Sequence, residues 1–302
     1  MGALTTSVGT ASSLSLRLSG TVPYLAIANG VSSDVQSYSG GWTSLGSFTS
    51  GNIGQVSLSL DKGVPYVAYL GTDYQARVMS YNGSWSVLGS QSFVTSNPPV
   101  FEVRGGTAYL VYQNASNDAD FTKSDTAVPS WSSPLSIAGS LATSSKMALD
   151  IASGEAYVLY TDSTAKLFQL HSTGGTFGAP SIVLNAIVNS SDANGVAGSG
   201  TAYSIFIASD SKLYWGTDSV LGSISSAAVG AAMAMYGNVP YVAYINGSNA
   251  VQVAFMSGSV WTNIADLPVT AQGTVISLDI SSDGSPYVAF NTSAGPVVYA
   301  FQ

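Results

Sequence analysis

The hexapeptide Val64-Pro65-Tyr66-Val67-Ala68-Tyr69 returns almost letter for letter as Val239-Pro240-Tyr241-Val242-Ala243-Tyr244. Looser copies of the same unit surround Tyr24, Tyr109, Tyr157, Tyr203 and Tyr287. Aligned on the leading tyrosine, the seven copies follow one another at intervals of 42, 43, 48, 46, 38 and 46 residues. A repeat of this length is one supersecondary unit that cannot bury its apolar face alone, so the chain must stack its units side by side.

Each unit reads as four short strands. An alternating apolar strand precedes the tyrosine, as in Leu14-Ser15-Leu16-Arg17-Leu18, Val56–Leu60 and Ile276–Ile280, and a turn such as Asp61-Lys62-Gly63 joins it to the tyrosine strand. A third strand follows, for example Ala76–Tyr81 or Val251–Met256, and then a glycine-containing turn leads into Trp42-Thr43-Ser44-Leu45-Gly46 or Trp85-Ser86-Val87-Leu88-Gly89. Named A to D in chain order, these strands form a four-stranded meander of about 44 residues.

Seven such units resemble the blades of the β-propeller superfamily across essentially the whole chain, nearer to lectin-like and kelch-like propellers than to enzymes. The resemblance implies an all-β, seven-bladed propeller of four-stranded antiparallel blades, one domain over residues 1–302. The Gly-His and Trp-Asp pairs of WD40 repeats and the kelch double glycine are absent, so no functional residue is carried over from those families. The last unit stops after its third strand, Val297–Phe301, while the chain begins with Ala3-Leu4-Thr5-Thr6-Ser7-Val8-Gly9, which resembles an orphan D strand. The N-terminal strand is therefore expected to complete the last blade and remove the unpaired edges of an open ring. A sandwich pair or a parallel β-helix would also use many short strands, but the seven-fold count with split termini favours the propeller.

Composition narrows the partners. Eight Lys and Arg against sixteen Asp and Glu give a net charge of −8, the wrong sign for phosphate backbones, so nucleic acid and anionic membranes are not expected. No apolar run is long enough for a membrane helix, and the N-terminus lacks the basic start and apolar stretch of a signal peptide. Without cysteine there is no thiol catalysis, thiolate metal site or disulfide. Only 8% of residues are charged, so the surface must be solvated mainly by hydroxyls, amides and backbone.

Two sets of residues are candidates for ligand binding. Trp42, Trp85, Trp131 and Trp261 open the predicted D strand in four units, and such aromatic faces can stack on sugar rings; a Trp on an outer strand can equally pack between blades with its N–H on a backbone acceptor. Asp34, Asp73, Asp162 and Asp210, with Asp118 and Asp120, recur at or near the turn between strands B and C, where Asn246, Asn249 and Asn291 stand in the last two units. These side chains cap tight turns without any ligand, and the sharper alternative is a ring that holds a cation or sugar hydroxyls. Asn117–Asp120 and Asp192–Gly195 match only fragments of a calcium loop, so no metal and no cofactor is expected.

His171, the only histidine, has no carboxylate or serine elbow at a triad spacing. Glu102, Asp150 and Asp279 fall in or near the inner A strands, where paired acids could hydrolyse a glycoside, yet most A-strand polar positions are Ser, Ala or Gly. Five Asn-x-Ser/Thr sequons, at Asn82, Asn114, Asn189, Asn246 and Asn291, lean toward an extracellular or cell-surface location. The expected function is a non-catalytic extracellular recognition module with several similar carbohydrate sites around the ring, binding glycans or a protein surface. A structural protein that self-associates through its charge-poor exterior and a propeller glycoside hydrolase or lyase are the alternatives.

Overall fold

The computed structural model describes residues 9–301 apart from 50, 52, 96, 144, 146, 185–193, 198–201, 218–220 and 226. The chain is a seven-bladed β-propeller: seven separate antiparallel sheets follow one another in sequence, and no helix occurs among the described residues. The A strands are Ser13–Ser19, Ile53–Asp61, Val100–Arg104, Ala148–Ala152, Asn194–Ala197, Ala228–Tyr236 and Ile276–Ile280. Each pairs with its B strand, which pairs with C, and C carries the outer strand D in blades 1 to 6. Blade 7 shows three strands, and the proposed closing strand at residues 3–9 lies almost wholly outside the described residues.

The hairpins between A and B explain the compactness of each blade. Lys62 and Gly63 have φ of 51° and 79°, Gly105 and Gly106 have 60° and 82°, and Ser153 and Gly154 have 53° and 80°. Two consecutive left-handed residues make the tight turn whose twist matches the flanking strands, which fixes the register of A against B. In that register every repeat tyrosine faces one A-strand residue: Arg17, Ser59, Glu102, Asp150, Val196, Ala234 and Asp279 in blade order. The sequence repeat thus defines a single ring of positions on the innermost strands.

Seven apolar clusters hold the disc together, one at each interface between neighbouring blades. Leu16, Leu25 and Ile27 of blade 1 pack on Tyr287, Ala289 and Val298 of blade 7, so the first and last blades meet like any other pair. Asn291 reinforces that seam from both ends of its amide: its Oδ1 accepts the Ala11 N–H at 3.1 Å and its Nδ2 donates to the Ala11 carbonyl at 2.8 Å.

The inner strands of adjacent blades are joined through side chains. Ser13 and Ser15 accept the N–H groups of Val56 and Leu58 at 3.1 and 2.9 Å. Ser59 accepts from Val103 at 2.8 Å, Glu102 Oε2 from Ile151 at 3.0 Å, Ser277 from Leu16 at 3.0 Å and Asp279 Oδ2 from Leu18 at 2.7 Å. An inner-strand N–H without a ladder partner must be satisfied in this way when it is buried. The many A-strand serines therefore have a structural duty.

Candidate functional site

The A strands surround a cavity of about 760 Å³ on the propeller axis. Serines 15, 57, 59 and 277 line it together with Arg17, Asp61, Glu102, Arg104, Asp150 and Asp279. In a chain with so few charges this is a marked concentration, set among inner strands whose other non-aliphatic positions are mostly serine, alanine and glycine, as expected from the sequence. The charge is one-sided: blade 6 contributes Ala232, Met233, Ala234 and Met235, while the charged residues come from blades 7 and 1 to 4.

Glu102 is the centre of the charged wall. Its Oε1 accepts Arg104 Nη2 at 2.9 Å and Nε at 3.1 Å, and its Oε2 is held by the Ile151 N–H. Burial, and then the neighbouring Asp150 carboxylate, push the Glu102 carboxyl up to about 7, against the opposing pull of Arg104 and Arg17. Burial likewise raises Asp279, whose two oxygens accept the Leu18 and Ile280 N–H groups. Asp61 is occupied by the backbone of the next blade, accepting from Gly105 and Gly106 at 3.2 and 2.9 Å. Among the described residues no group of three or more His, Cys, Asp or Glu is arranged to hold a metal ion.

At the periphery the tryptophans stand where outer strands meet the preceding blade. Trp42 and Trp85 open the D strands Trp42–Ser44 and Trp85–Val87; both are half-buried. Tyr38 packs on Trp42 with ring centroids 5.3 Å apart and planes at 55°, and Tyr81 packs on Trp85 at 5.2 Å and 55°. Two consecutive blades thus present one aromatic pair in the same geometry. Trp85 Nε1 donates to the Gly46 carbonyl of blade 1 at 3.1 Å, and Trp131 Nε1 to the Leu88 carbonyl of blade 2 at 2.9 Å. Trp131 is buried and precedes its outer strand, Leu135–Ala138, instead of opening it. Trp261 lies in the outer strand Val260–Thr270 against Trp215, at 6.3 Å and 71°.

The acidic candidates are spread around the ring. Asp162 accepts the N–H groups of Thr164 and Lys166 at 2.9 and 3.0 Å, and Asp210 accepts Lys212 N–H and Tyr214 O–H at 3.0 and 2.8 Å. Asn114 and Asn246 hold their B–C turns in the same fashion. Asp73 forms an ion pair with Arg77, whose guanidinium keeps its carboxyl low, at about 2. Asp34 is buried at the start of strand C and accepts Gln36 Nε2 at 2.8 Å and Ser44 Oγ at 2.7 Å, in line with the Tyr38–Trp42 pair on the same ladder.

Trp215, on strand C of blade 5, was not among the candidates from sequence. Unit five lacks a D-strand aromatic, and its tryptophan fills the interface with blade 6 from one strand further in. Residue Asn189, with its sequon, lies outside the described residues. Asn291 is buried at the blade 7–blade 1 seam.

Lectins of known structure share this architecture. The BP39L lectin from Burkholderia pseudomallei superimposes with a TM-score of 0.68 at 16% identity, covering 97% of this chain and 99% of the lectin. The fucose-specific lectin of Aleuria aurantia matches at 0.59 and 17%, over 81% of this chain and 90% of that one. The β-propeller domain of Cps50 (Swd1) from Myceliophteria thermophila, which is not described as a lectin, matches at 0.66 and 12%, over 100% and 98%. At these identities the likeness is one of fold. No family model matches the chain, and no curated protein matches it. No helix is long and apolar enough to cross a membrane among the described residues.

Proposed function

We propose that this propeller is a carbohydrate-binding, lectin-like module, non-catalytic and displayed outside the cell. The observation that carries the reading is the pair of half-buried Tyr–Trp platforms, Tyr38–Trp42 and Tyr81–Trp85, set in the same geometry on consecutive blades. A half-exposed aromatic pair offers an apolar face to the C–H side of a sugar, and polar groups beside it can meet the hydroxyls. On blade 1 the exposed Ser44, held from below by the buried Asp34, which also accepts from Gln36, supplies such a group. Two like sites on one rigid ring would add weak contacts through avidity. Propeller lectins of the same architecture support this reading, and one of them is described as fucose-specific.

A glycan array with labelled protein tests it, with free fucose as the first competitor. Selective, competable binding that is lost in a Tyr38→Ala/Tyr81→Ala double variant of unchanged melting temperature supports the proposal; a blank array overturns it. The double variant spares Trp85, whose ring N–H also joins blades 1 and 2.

One observation favours a second reading, self-association. The outer strands of blades 2 to 6 each expose at least one large aliphatic side chain, Val87 and Val94, Leu135, Ile182, Leu221, and Val260 and Ile264, between 39% and 67% exposed. Exposed outer strands with apolar side chains and few charges are templates for pairing with another copy. Concentration-dependent assembly in sedimentation velocity, abolished by Leu221→Lys, would favour that function over glycan binding.

A further inference from the structure

The sequon Asn82-Gly83-Ser84 forms the whole loop between the third and outer strands of blade 2. Gln75–Tyr81 leads into it and Trp85–Val87 leaves it, and the Asn82 N–H closes it on the Ser84 carbonyl at 3.1 Å. All three residues are exposed, and Gly83 has a φ of 78° with no atom within 4 Å of where a Cβ would stand. The loop therefore projects clear of the disc. Blade 1 builds the same loop from Ser39-Gly40-Gly41, with the Ser39 N–H on the Gly41 carbonyl at 3.0 Å and Gly40 at a φ of 74°, but without an asparagine.

The other described sequons have their asparagines engaged in the fold. Asn291 is buried and gives both ends of its amide to Ala11. Asn114 donates Nδ2 to Asp120 Oδ2 at 3.0 Å, while its Oδ1 accepts the Ser116 and Asp118 N–H groups at 2.9 and 3.1 Å. Asn246 is half-buried, its Oδ1 accepting the Ser248 and Ala250 N–H groups at 2.9 and 3.0 Å. Among the described residues the carboxamide of Asn82 alone, of these four, makes no hydrogen bond and stands in an exposed loop.

We propose that Asn82 is an acceptor of N-linked glycosylation, and that the glycan it carries covers the Tyr81–Trp85 platform while the Tyr38–Trp42 platform stays open. The donor is an oligosaccharide on a lipid diphosphate, transferred in the secretory route. The bond from Asn82 Nδ2 to the anomeric carbon forms, the bond from that carbon to the diphosphate oxygen breaks, the lipid diphosphate departs and Nδ2 gives up one proton. The attachment point adjoins Tyr81, and its loop bridges Tyr81 to Trp85, whose rings pack 5.2 Å apart. A bulky polar chain fixed there shields that aromatic face from solvent and from any other sugar. Two platforms of like geometry thus become one open and one covered, a difference set by the asparagine that only the blade 2 loop contains. The inference rests on the reading of this protein as displayed outside the cell, since a chain that never enters the secretory route meets no such donor.

The test is to secrete the full chain from a eukaryotic cell that N-glycosylates and to map the product by mass spectrometry after peptide N-glycosidase, which leaves an aspartate at each occupied asparagine. Asn82 should be occupied, and Asn82→Gln and Ser84→Ala should each remove that glycan. Hydroxyl-radical footprinting then reads the platforms residue by residue without any ligand. Oxidation of Tyr81 and Trp85 should be several-fold slower in the glycosylated protein than in Asn82→Gln, while Tyr38 and Trp42, the like pair on blade 1, oxidise equally in both. A secreted, folded protein with Asn82 bare overturns the proposal, and so do Tyr81 and Trp85 oxidising at the same rate with and without the glycan. Neither result touches the lectin reading, which the glycan array tests on unmodified protein; a blank array sinks that reading and leaves the modification standing.

Discussion

Asp279 Oδ2 accepts the Leu18 N–H at 2.7 Å across the seam where the last blade meets the first. Ser277 makes the matching bond to Leu16 one pleat away, so two acceptors from blade 7 hold the inner strand of blade 1. Leaving a buried N–H without its acceptor costs about 1–3 kcal/mol. Asp279→Ala should therefore destabilise by about that amount in urea unfolding, and Asp279→Asn, which keeps an acceptor oxygen, by distinctly less. If both variants unfold at the parent's midpoint, the seam is held by its apolar cluster alone.

Trp131 offers a cleaner separation of packing from hydrogen bonding. Its ring is buried among Phe93, Leu88 and Tyr112, and its N–H reaches Leu88 O in the preceding blade. Trp131→Phe keeps an aromatic ring in the interface and loses chiefly the bond, for an expected loss of about 1–2 kcal/mol. Trp131→Ala also leaves a cavity and should cost about 3–5 kcal/mol. Thermal or denaturant unfolding of the two variants side by side reads the difference directly.

Gly230 marks a place where two blades approach too closely for any side chain. It lies at an irregularity in the A strand of blade 6, and a Cβ there would run into the Thr274 carbonyl just before the A strand of blade 7. The obstacle is backbone, which cannot swing aside as a side chain would. Gly230→Ala should destabilise by roughly 1–3 kcal/mol, whereas Gly247→Ala, whose Cβ would meet only the Ala227 methyl at 3.4 Å, should cost less. Equal melting temperatures for the two variants would contradict this geometry.

The repeat was legible because a tyrosine marks each B strand and an apolar alternation marks each A strand; those two signals alone set seven blades and their order. What stayed hidden is a matter of which neighbour a side chain meets. The A-strand serines read as uninformative in sequence because their partners are N–H groups of the next blade, some 43 residues away in the case of Ser15 and Leu58. Arg17, Glu102, Asp150 and Asp279 look scattered along the chain until each is counted back from its blade's tyrosine, which places all four on one ring. Trp215 escaped notice because its blade moved the aromatic from strand D to strand C. An alignment on hairpin register, instead of on the tyrosine motif by itself, would have found the charged ring.

Glu102 gives the fold a pH dependence of unusual sign. Its carboxyl titrates near 7 in the folded protein against an ordinary value of 4.5, so between those two values the native state binds more protons than the unfolded chain. Stability must then fall as pH rises: the contribution is complete below the unfolded value and is lost as pH climbs through the folded one. With the Glu102 side chain only 15% exposed, the shift corresponds to a loss of up to about 3 kcal/mol. Asp279, also raised by burial, acts in the same direction. Carboxylates that the fold holds low, such as Asp73 and Asp162, have gained their stabilisation by the time pH exceeds their ordinary value, so they leave the window from about pH 5 to about pH 8 to the raised pair. Glu102→Gln keeps an oxygen for the Ile151 N–H but cannot ionise. The variant should therefore lose less stability than the parent between about pH 5 and about pH 8. Parallel pH profiles for the two proteins would mean that Glu102 ionises freely at its place between Arg104 and Asp150.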